Sequence, residues 1–354
     1  SLLLLGIAGA LLGAALAMRP GAVMGLSLAG LLLVLTLKAT GADLWRDLAR
    51  SRPLPLMAAL FCYGAVIMVT VVRWRLLLEV QSVHLPLLTL SRLTFIGVFF
   101  NVAIPGAVSG DLVKMGCITR HAGERQAEAM LTIFLDRVFG VLGLFIVAAI
   151  AVVSSLPMIL GLDERFRVLQ AGALLVAFGS VGGITSVLAV EFRASLVRVH
   201  WVARLIALGD RLLPRTITGT IRRLVEAVDL YRHRRGTVVK AVLLSVAVHL
   251  LLAFTLFLVG RSLGEEGLKL RHYVVTASVA NTVAAIPVTP GGLGTRDATA
   301  AAFFTAFGAQ PPDRVGSIPV VMSLIILAWA LVGAAVFIAA PATANTPKET
   351  PGTG

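Results

Sequence analysis

The stretch Ala129–Val153, AMLTIFLDRVFGVLGLFIVAAIAVV, decides the class of fold. A transmembrane helix needs roughly 20 predominantly apolar residues, and this run exceeds that with Asp136 and Arg137 as its charges. The same character extends outward in both directions. Further apolar runs lie at 2–18, 21–38, 54–72, 88–104, 168–190, 238–260, 273–289 and 316–340, with a weaker stretch at 298–308 too short to span. The whole chain of 354 residues is 58% hydrophobic and 14% charged, with a mean hydropathy of +0.92. Soluble domains are about 45–50% apolar and about 25% charged. The sequence is thus neither a disordered chain, nor a disulfide-stapled secreted domain, nor an ordinary cytosolic enzyme. It predicts an all-α, polytopic membrane helical bundle: one transmembrane domain over 1–340 with about eight or nine spans, and a disordered tail at 341–354 rich in Pro, Thr, Asn and Gly.

The formal net charge is +13, from 31 Lys and Arg against 18 Asp and Glu. In a soluble protein that excess would suggest nucleic acid. Here the charges fall in gaps between apolar runs, as the positive-inside rule requires, so no nucleic-acid partner is expected. The gap 192–240 holds ten Arg and Lys240 against Asp210, Glu226 and Asp229, which predicts a cytoplasmic position in what reads as a bacterial inner-membrane protein. Alternation of spans then places 38–53 and 114–128 inside and 154–167 outside. The gap 73–92, with Arg73, Arg75 and Arg92, is the exception, placed outside; Arg73 and Arg75 flank Trp74 as interfacial anchors.

Within 192–236, Ile217, Ile221, Leu224, Val225 and Val228 mark one face of an amphipathic helix, separated by Pro214 from a similar stretch at 196–208. Such a helix lies in the membrane interface, as a topology determinant or as a site that gathers anionic headgroups. The run 2–18 has the look of a signal-peptide core ending at Ala15-Leu16-Ala17, but without a basic n-region it reads as an anchor. Cys62 and Cys117 are too few and too scattered for a disulfide framework or a metal site.

Two apolar runs are interrupted without becoming polar loops. The first reads Asn101-Val-Ala-Ile-Pro105-Gly106-Ala-Val-Ser109-Gly110-Asp111. The second reads Asn281-Thr-Val-Ala-Ala-Ile-Pro287-Val-Thr-Pro290-Gly291-Gly292-Leu-Gly294-Thr-Arg296-Asp297. Each has an Asn inside an apolar run, then Ile, Pro and a Gly-rich turn that ends in Asp. Proline cannot continue a helix, and a broken backbone cannot face lipid, so each break must be buried in protein or line a wet cavity. A matched pair of breaks in the two halves of a chain predicts re-entrant helices and an inverted repeat. Backbone amides freed at Gly106–Gly110 and Gly291–Gly294 would be ligands for a phosphate.

Asp136 and Arg137 lie about 10 Å into their run, where an unpaired charge costs several kcal/mol. Asp136 could pair with Lys114, and Arg137 with Asp111 or Asp297. His249 falls near the middle of 238–260 with Ser245 one turn away; it reads as a neutral histidine bonded to a neighbouring helix, or as a proton relay.

These motifs, in order, resemble one family. Arg73-Trp74-Arg75, then Gly97-x-Phe99-x-Asn101 leading to Pro105-Gly106-x-x-Ser109-Gly110-Asp111-x-x-Lys114, then Asp136-Arg137 and Thr289-Pro290-Gly291-Gly292-Leu293-Gly294 are similar to the flippase-like transmembrane domain of lysylphosphatidylglycerol synthases and its stand-alone relatives. The resemblance covers about 21–340 and implies lipid movement across the bilayer, often of lipids with amino-acylated or glycosylated headgroups. Ser109 and Lys114 stand where the family has Gly and Arg, and Asp297 where Glu is common. No hydrophilic segment of domain size occurs in the sequence, so lysyl transfer to lipid is not expected from it.

The function expected is a lipid flippase or transporter, not an enzyme, with no cofactor. Its headgroup-binding residues would be Asn101, Pro105, Gly106, Gly110, Asp111, Lys114, Asp136, Arg137, Asn281, Pro290, Gly291, Gly292, Gly294, Arg296 and Asp297. Its partners would be membrane lipids, of anionic or polyprenyl/hopanoid type, with a lipid-modifying enzyme as a further possibility. An accessory subunit of a lipid-modifying or glycan pathway is the first alternative and a membrane-embedded transferase the second. Against the latter, no acyltransferase His-x4-Asp, Asp-x-Asp or HExxH pattern occurs, and no Walker A motif suggests direct use of ATP.

Overall fold

A computed structural model describes residues 31, 34–38, 41–104, 109–191, 234–286 and 289–339, and every regular element among them is helical. The expected anchor at 2–18, the amphipathic helix within 192–233, the breaks at 105–108 and 287–288 and the tail 341–354 lie outside the described residues. Eleven α-helices carry the description below. They are α1 (Leu44–Ala49), α2 (Pro53–Val80), α3 (Leu87–Ala103), α4 (Ser109–Ile118), α5 (Gln126–Ser154), α6 (Leu156–Leu160), α7 (Arg167–Glu191), α8 (Arg235–Ser262), α9 (Leu270–Ala284), α10 (Thr295–Ala306) and α11 (Ser317–Ala339).

Among the described residues, five helical segments are long and apolar enough to cross a membrane: Pro53–Val80, Gln126–Ser154, Glu164–Thr185, Arg235–Ser262 and Pro312–Ala339. They are apolar on most of their circumference, as helices between protein and lipid must be. Phe61, Ile150, Leu175, Phe178 and Ile338 project outward, while Val71, Trp74, Leu256, Tyr273 and Ile318 are buried between helices. Glycines set the closest helix crossings, as is usual where hydrocarbon surrounds the bundle. Gly64 of α2 faces the Trp329 indole of α11, and Gly143 of α5 faces Ser245 of α8; neither has room for a Cβ.

The apolar runs 88–104 and 273–289 become shorter helices. At 1.5 Å per residue α3 spans about 25 Å and α9 about 22 Å, less than the roughly 30 Å hydrocarbon core. Each folds back on its successor. Leu90 and Leu93 of α3 share an apolar cluster with Ile118 of α4, while Asn101 receives the Gly110 amide. In the second pair, the Tyr273 and Phe304 rings lie 4.9 Å apart and tilted at one end, and Ala284 meets Gly292 at the other. Both are antiparallel helical pairs, α3 with α4 and α9 with α10.

The two halves therefore use one series of elements: long helix, short helix, break, short helix, long helix. These are α2 to α5 and α8 to α11. The leading helices α2 and α8 pack against each other in opposite directions: the Arg52 amide donates to Ser262 O at 2.7 Å, Cys62 Sγ to Leu251 O at 3.8 Å, and Arg73 to Ser245 Oγ at 2.9 Å. Reciprocally, α3 packs on α11 and α9 on α5.

This arrangement corrects the expected placement of the loops. Arg125 Nη1 donates to Gln81 O at 2.8 Å, so 73–92 lies at the same end of the bundle as 114–128, and the apparent exception disappears. The cluster of Leu77, Leu135 and Ala241, flanked by Val238, adds the start of α8 to that end. Residues 38–53, expected beside 114–128, are instead at the opposite end, with 154–167 and 262–272. The cause is the antiparallel packing of α3 on α4, which brings the start of α3 and the end of α4 to one end of the bundle and which simple alternation of spans does not count.

Candidate functional site

A cavity of about 400 Å³ opens between the tips of the two hairpins. Its wall includes Asn101, Asp111, Lys114, Asp136, Arg137, Asn281, Gly291, Gly292 and Arg296 from the expected set, and also Tyr63, Arg73, Thr94, Gly97, His249 and Thr289. A smaller space of about 120 Å³, lined mainly by apolar side chains, shares Tyr63, Leu252, Asn281, Arg296 and Ile326 with it. The tips meet directly: a Cβ placed on Gly291 would lie 3.4 Å from Asn101 O and 3.8 Å from Val102 Cγ2.

The first hairpin is tied by its own side chains. Asn101 Oδ1 accepts from the Gly110 amide at 2.9 Å, and Ser109 Oγ donates to Phe100 O at 3.1 Å and Ile104 O at 3.0 Å. Gly110 packs against Gly97 O and the Asn101 side chain, leaving no space for a Cβ. Gly97 in turn lies beside the Lys114 stem. The second hairpin relies on left-handed backbone: Gly291, Gly292 and Gly294 have φ of 57°, 71° and 81°. Such angles suit glycine because an L side chain there crowds the following carbonyl. Asp297, fully buried, closes this turn by accepting from the Gly294 amide at 2.8 Å. Pro290 is buried behind the turn.

Among the described residues of the two Gly-rich turns, several of the amides expected to be free are already bonded within the chain. The amides of Gly110, Gly292 and Gly294 bond Asn101 Oδ1, Thr289 O and Asp297 Oδ2. Buried amides find partners within the chain wherever they can; Asn101 supplies one at the first break and Asp297 one at the second. Pro105 and Gly106 lie outside the described residues.

Four of the lining side chains are cationic. Arg73 donates from Nε to Asp136 Oδ1 at 2.7 Å, from Nη2 to Asp136 Oδ2 at 3.1 Å and from Nη1 to Ser245 Oγ at 2.9 Å. Asp136 hence pairs with Arg73 and not with Lys114, and Arg73 is a buried strut joining α2, α5 and α8 rather than an interfacial anchor. Arg137 takes the partner offered first, Asp111, donating from Nε at 2.8 Å. Arg296 donates to Ser323 Oγ at 2.5 Å and lies 3.4 Å from Asp297, whose Oδ1 also accepts from Ser323 at 2.7 Å. Lys114 Nζ lies 4.0 Å from the centroid of the Trp74 ring, a cation–π contact. Trp74 itself donates to Thr132 Oγ1 at 3.0 Å. His249 bonds Gly140 O of the neighbouring helix through Nε2 at 3.0 Å.

Arg73 was legible only in part. The apolar run stops at it, so it reads as the end of a span, yet Leu76-Leu77-Leu78 continues the helix to Val80. A lone Asp deep in another run was the signal that a distant cation had to be buried with it.

An all-α polytopic bundle with paired helical hairpins and a charged cavity at their tips defines a membrane domain. Residues 7–334 match the family described as the lysylphosphatidylglycerol synthase TM region, and the chain belongs to that family. It is also similar to the UPF0104 membrane protein PH1989 of Pyrococcus horikoshii, 23% identical over 269 residues that cover 72% of this chain and 78% of that one.

Proposed function

We propose that this protein is a lipid translocator: the headgroup passes through the cavity between the hairpin tips while the acyl chains stay in the surrounding hydrocarbon. The observation that carries the reading is the concentration of Arg73, Lys114, Arg137 and Arg296 around one cavity within an otherwise apolar bundle. A charged headgroup cannot enter hydrocarbon without substitute ligands. Fixed ions on the wall supply them in place of water.

The repetition of elements and the opposed directions of α2 and α8 favour an inverted repeat with two re-entrant hairpins. Two such halves can rock about their shared tips and expose the cavity to each leaflet in turn. The excess of arginine within 192–240 favours a cytoplasmic position for that segment, and with it for the end that carries 73–92 and 114–128. Asp111, Asp136 and Asp297 each contact an arginine, which suits them to holding cations in place more than to general-base chemistry. That favours transport over a transferase.

The test is reconstitution. Purified protein in liposomes carrying fluorescent phospholipids should make inner-leaflet label accessible to a membrane-impermeant quencher faster than protein-free liposomes do. If no lipid in a panel of anionic, zwitterionic, aminoacylated and polyprenyl-linked headgroups moves faster, the reading fails.

A further inference from the structure

The walls of the two spaces match residue by residue. Helices α2 and α8 both have 28 residues, and Trp74 and Leu256 hold the same place in them. In the short helices Asn101 matches Asn281, so Gly97 matches Ala277; Asp111 matches Asp297, so Lys114 matches Ala300. The last pair of helices is matched by contacts. Asp111 bonds Arg137 and Asp297 bonds Ser323, partners equally far along the chain, which sets Asp136 of α5 against Met322 of α11.

In the first half these positions carry ions. Lys114 Nζ lies over the Trp74 ring, its stem fills the space that Gly97 leaves, and Asp136 is paired with Arg73. In the second half the matching residues are Leu256, Ala277, Ala300 and Met322, and they line the chamber of about 120 Å³. Both alanines are buried, and neither side chain is long enough to fill it. Among the described residues Arg296 is the one charge in its wall. Protein interiors are close-packed, and a void forfeits the contacts of its lining. This one is kept where the other half places a lysine.

The two spaces extend toward opposite ends of the bundle. From Asn101 the large cavity follows α3 back past Gly97 and reaches Arg73 of α2, toward the end with 73–92 and 114–128. From Asn281 the chamber follows α9 back to Ala277 and reaches Leu256 of α8, toward the end with 262–272. Tyr63, Asn281 and Arg296 belong to both walls, so the spaces are consecutive.

We infer that the chamber is the closed second part of the headgroup's path. It widens when the large cavity shuts, and the headgroup then passes from Arg296 between Ala277, Ala300 and Met322 toward the end that carries 262–272. Alanine at 277 and 300 keeps this route clear of long side chains while it is shut. The inference rests on the lipid-translocation reading and adds a route beyond the large cavity.

Cysteine labelling tests the opening. In a chain lacking Cys62 and Cys117, Ala300→Cys should react with a small impermeant methanethiosulfonate from the face that labels Glu266→Cys. The control is Ala301→Cys, at a position buried beside it but in the wall of neither space. A buried position reacts only through opening, so the Ala300→Cys rate should exceed the control by about tenfold or more. Equal rates would show that the chamber stays shut. Reaction from the face that labels His84→Cys would make it a side branch of the large cavity. Either result overturns the inference and leaves translocation standing.

Filling the chamber tests its use. Ala300→Met adds an unbranched apolar chain that adapts to an irregular space. The variant should melt no lower than the parent, yet move fluorescent phospholipid in proteoliposomes about tenfold more slowly, because it favours the shut chamber over the open one. Parental rates in folded Ala300→Met would also overturn the inference, and if this variant does not fold the labelling alone decides. A parent that moves no lipid overturns translocation itself; that failure is told apart from the others because labelling does not depend on transport.

Discussion

Arg73 grips both oxygens of Asp136, at 2.7 and 3.1 Å, across helices that the sequence separates widely. Both are almost fully buried, at 4% and 7% exposure. The third donor of the guanidinium goes to Ser245, so one side chain joins the leading helix of each half to α5. A buried ion pair is weak evidence for stability as such, because desolvation offsets the attraction, but removing one partner strands the other.

The first prediction follows from that asymmetry. Asp136→Ala should cost about 3–5 kcal/mol by leaving a buried guanidinium without its counter-charge. Arg73→Met combined with Asp136→Leu should recover most of the loss. Thermal unfolding in detergent of both single variants and the double reports this directly. Single variants as stable as the parent would mean that the pair is solvated and not a strut.

How much of this was legible before the structure depends on the distance over which a residue acts. The long spans were plain because their evidence is local: apolar residues in sufficient number. The breaks were plain because Pro and Gly act on their own backbone. The antiparallel pairing of α3 with α4 is something no local feature states, and so 38–53 was expected at the wrong end of the bundle. The Gly-rich turns were read as free amides because nothing in their spacing shows that Asn101 and Asp297 would fold back and occupy Gly110 and Gly294. Partnering of Arg73 with Asp136 is a tertiary fact that only the valence of a buried charge anticipates.

The sidedness of the hairpins gives the second prediction. Cysteines placed singly at His84 and Arg120, in a chain lacking Cys62 and Cys117, should react with an impermeant maleimide from the same face of sealed vesicles. Cysteines at Asp163 and Glu266 should react from the other face. Labelling of His84→Cys and Arg120→Cys from opposite faces would show that 87–118 crosses the membrane instead of returning.

The third concerns the second turn. Gly123 and Gly292 both have positive φ, 55° and 71°, but a Cβ at Gly123 meets nothing within 4 Å whereas one at Gly292 comes within 2.5 Å of Ala284 Cβ. Gly123→Ala should therefore cost only the left-handed backbone term of about 1–2 kcal/mol. Gly292→Ala should cost that and the clash, and should loosen the contact between the tips. Equal losses in melting temperature would indicate that the turn yields freely.

The last prediction separates two neighbours in sequence. Asp136 and Arg137 stand side by side, yet about 100° of helical rotation turns one into the protein and the other toward the cavity mouth. The Arg137 side chain is 43% exposed and its partner Asp111 15%. At that exposure solvent screens the pair, whose contribution to stability should be no more than about 1 kcal/mol. Arg137→Gln should then fold and melt close to the parent, since Asp111 keeps access to the wet cavity and lies in the first turn of α4, where a helix favours negative charge. What it removes is one of the cations that replace water around a passing phosphate. Translocation of an anionic lipid should fall by about tenfold, the value of one charge-assisted contact of roughly 1.4 kcal/mol, whereas Asp136→Ala should lose activity only as it loses the fold. The two variants, compared at matched folded fraction in the same liposome assay, distinguish a strut from a ligand. Parental rates in folded Arg137→Gln would place the path of the headgroup elsewhere than past this arginine.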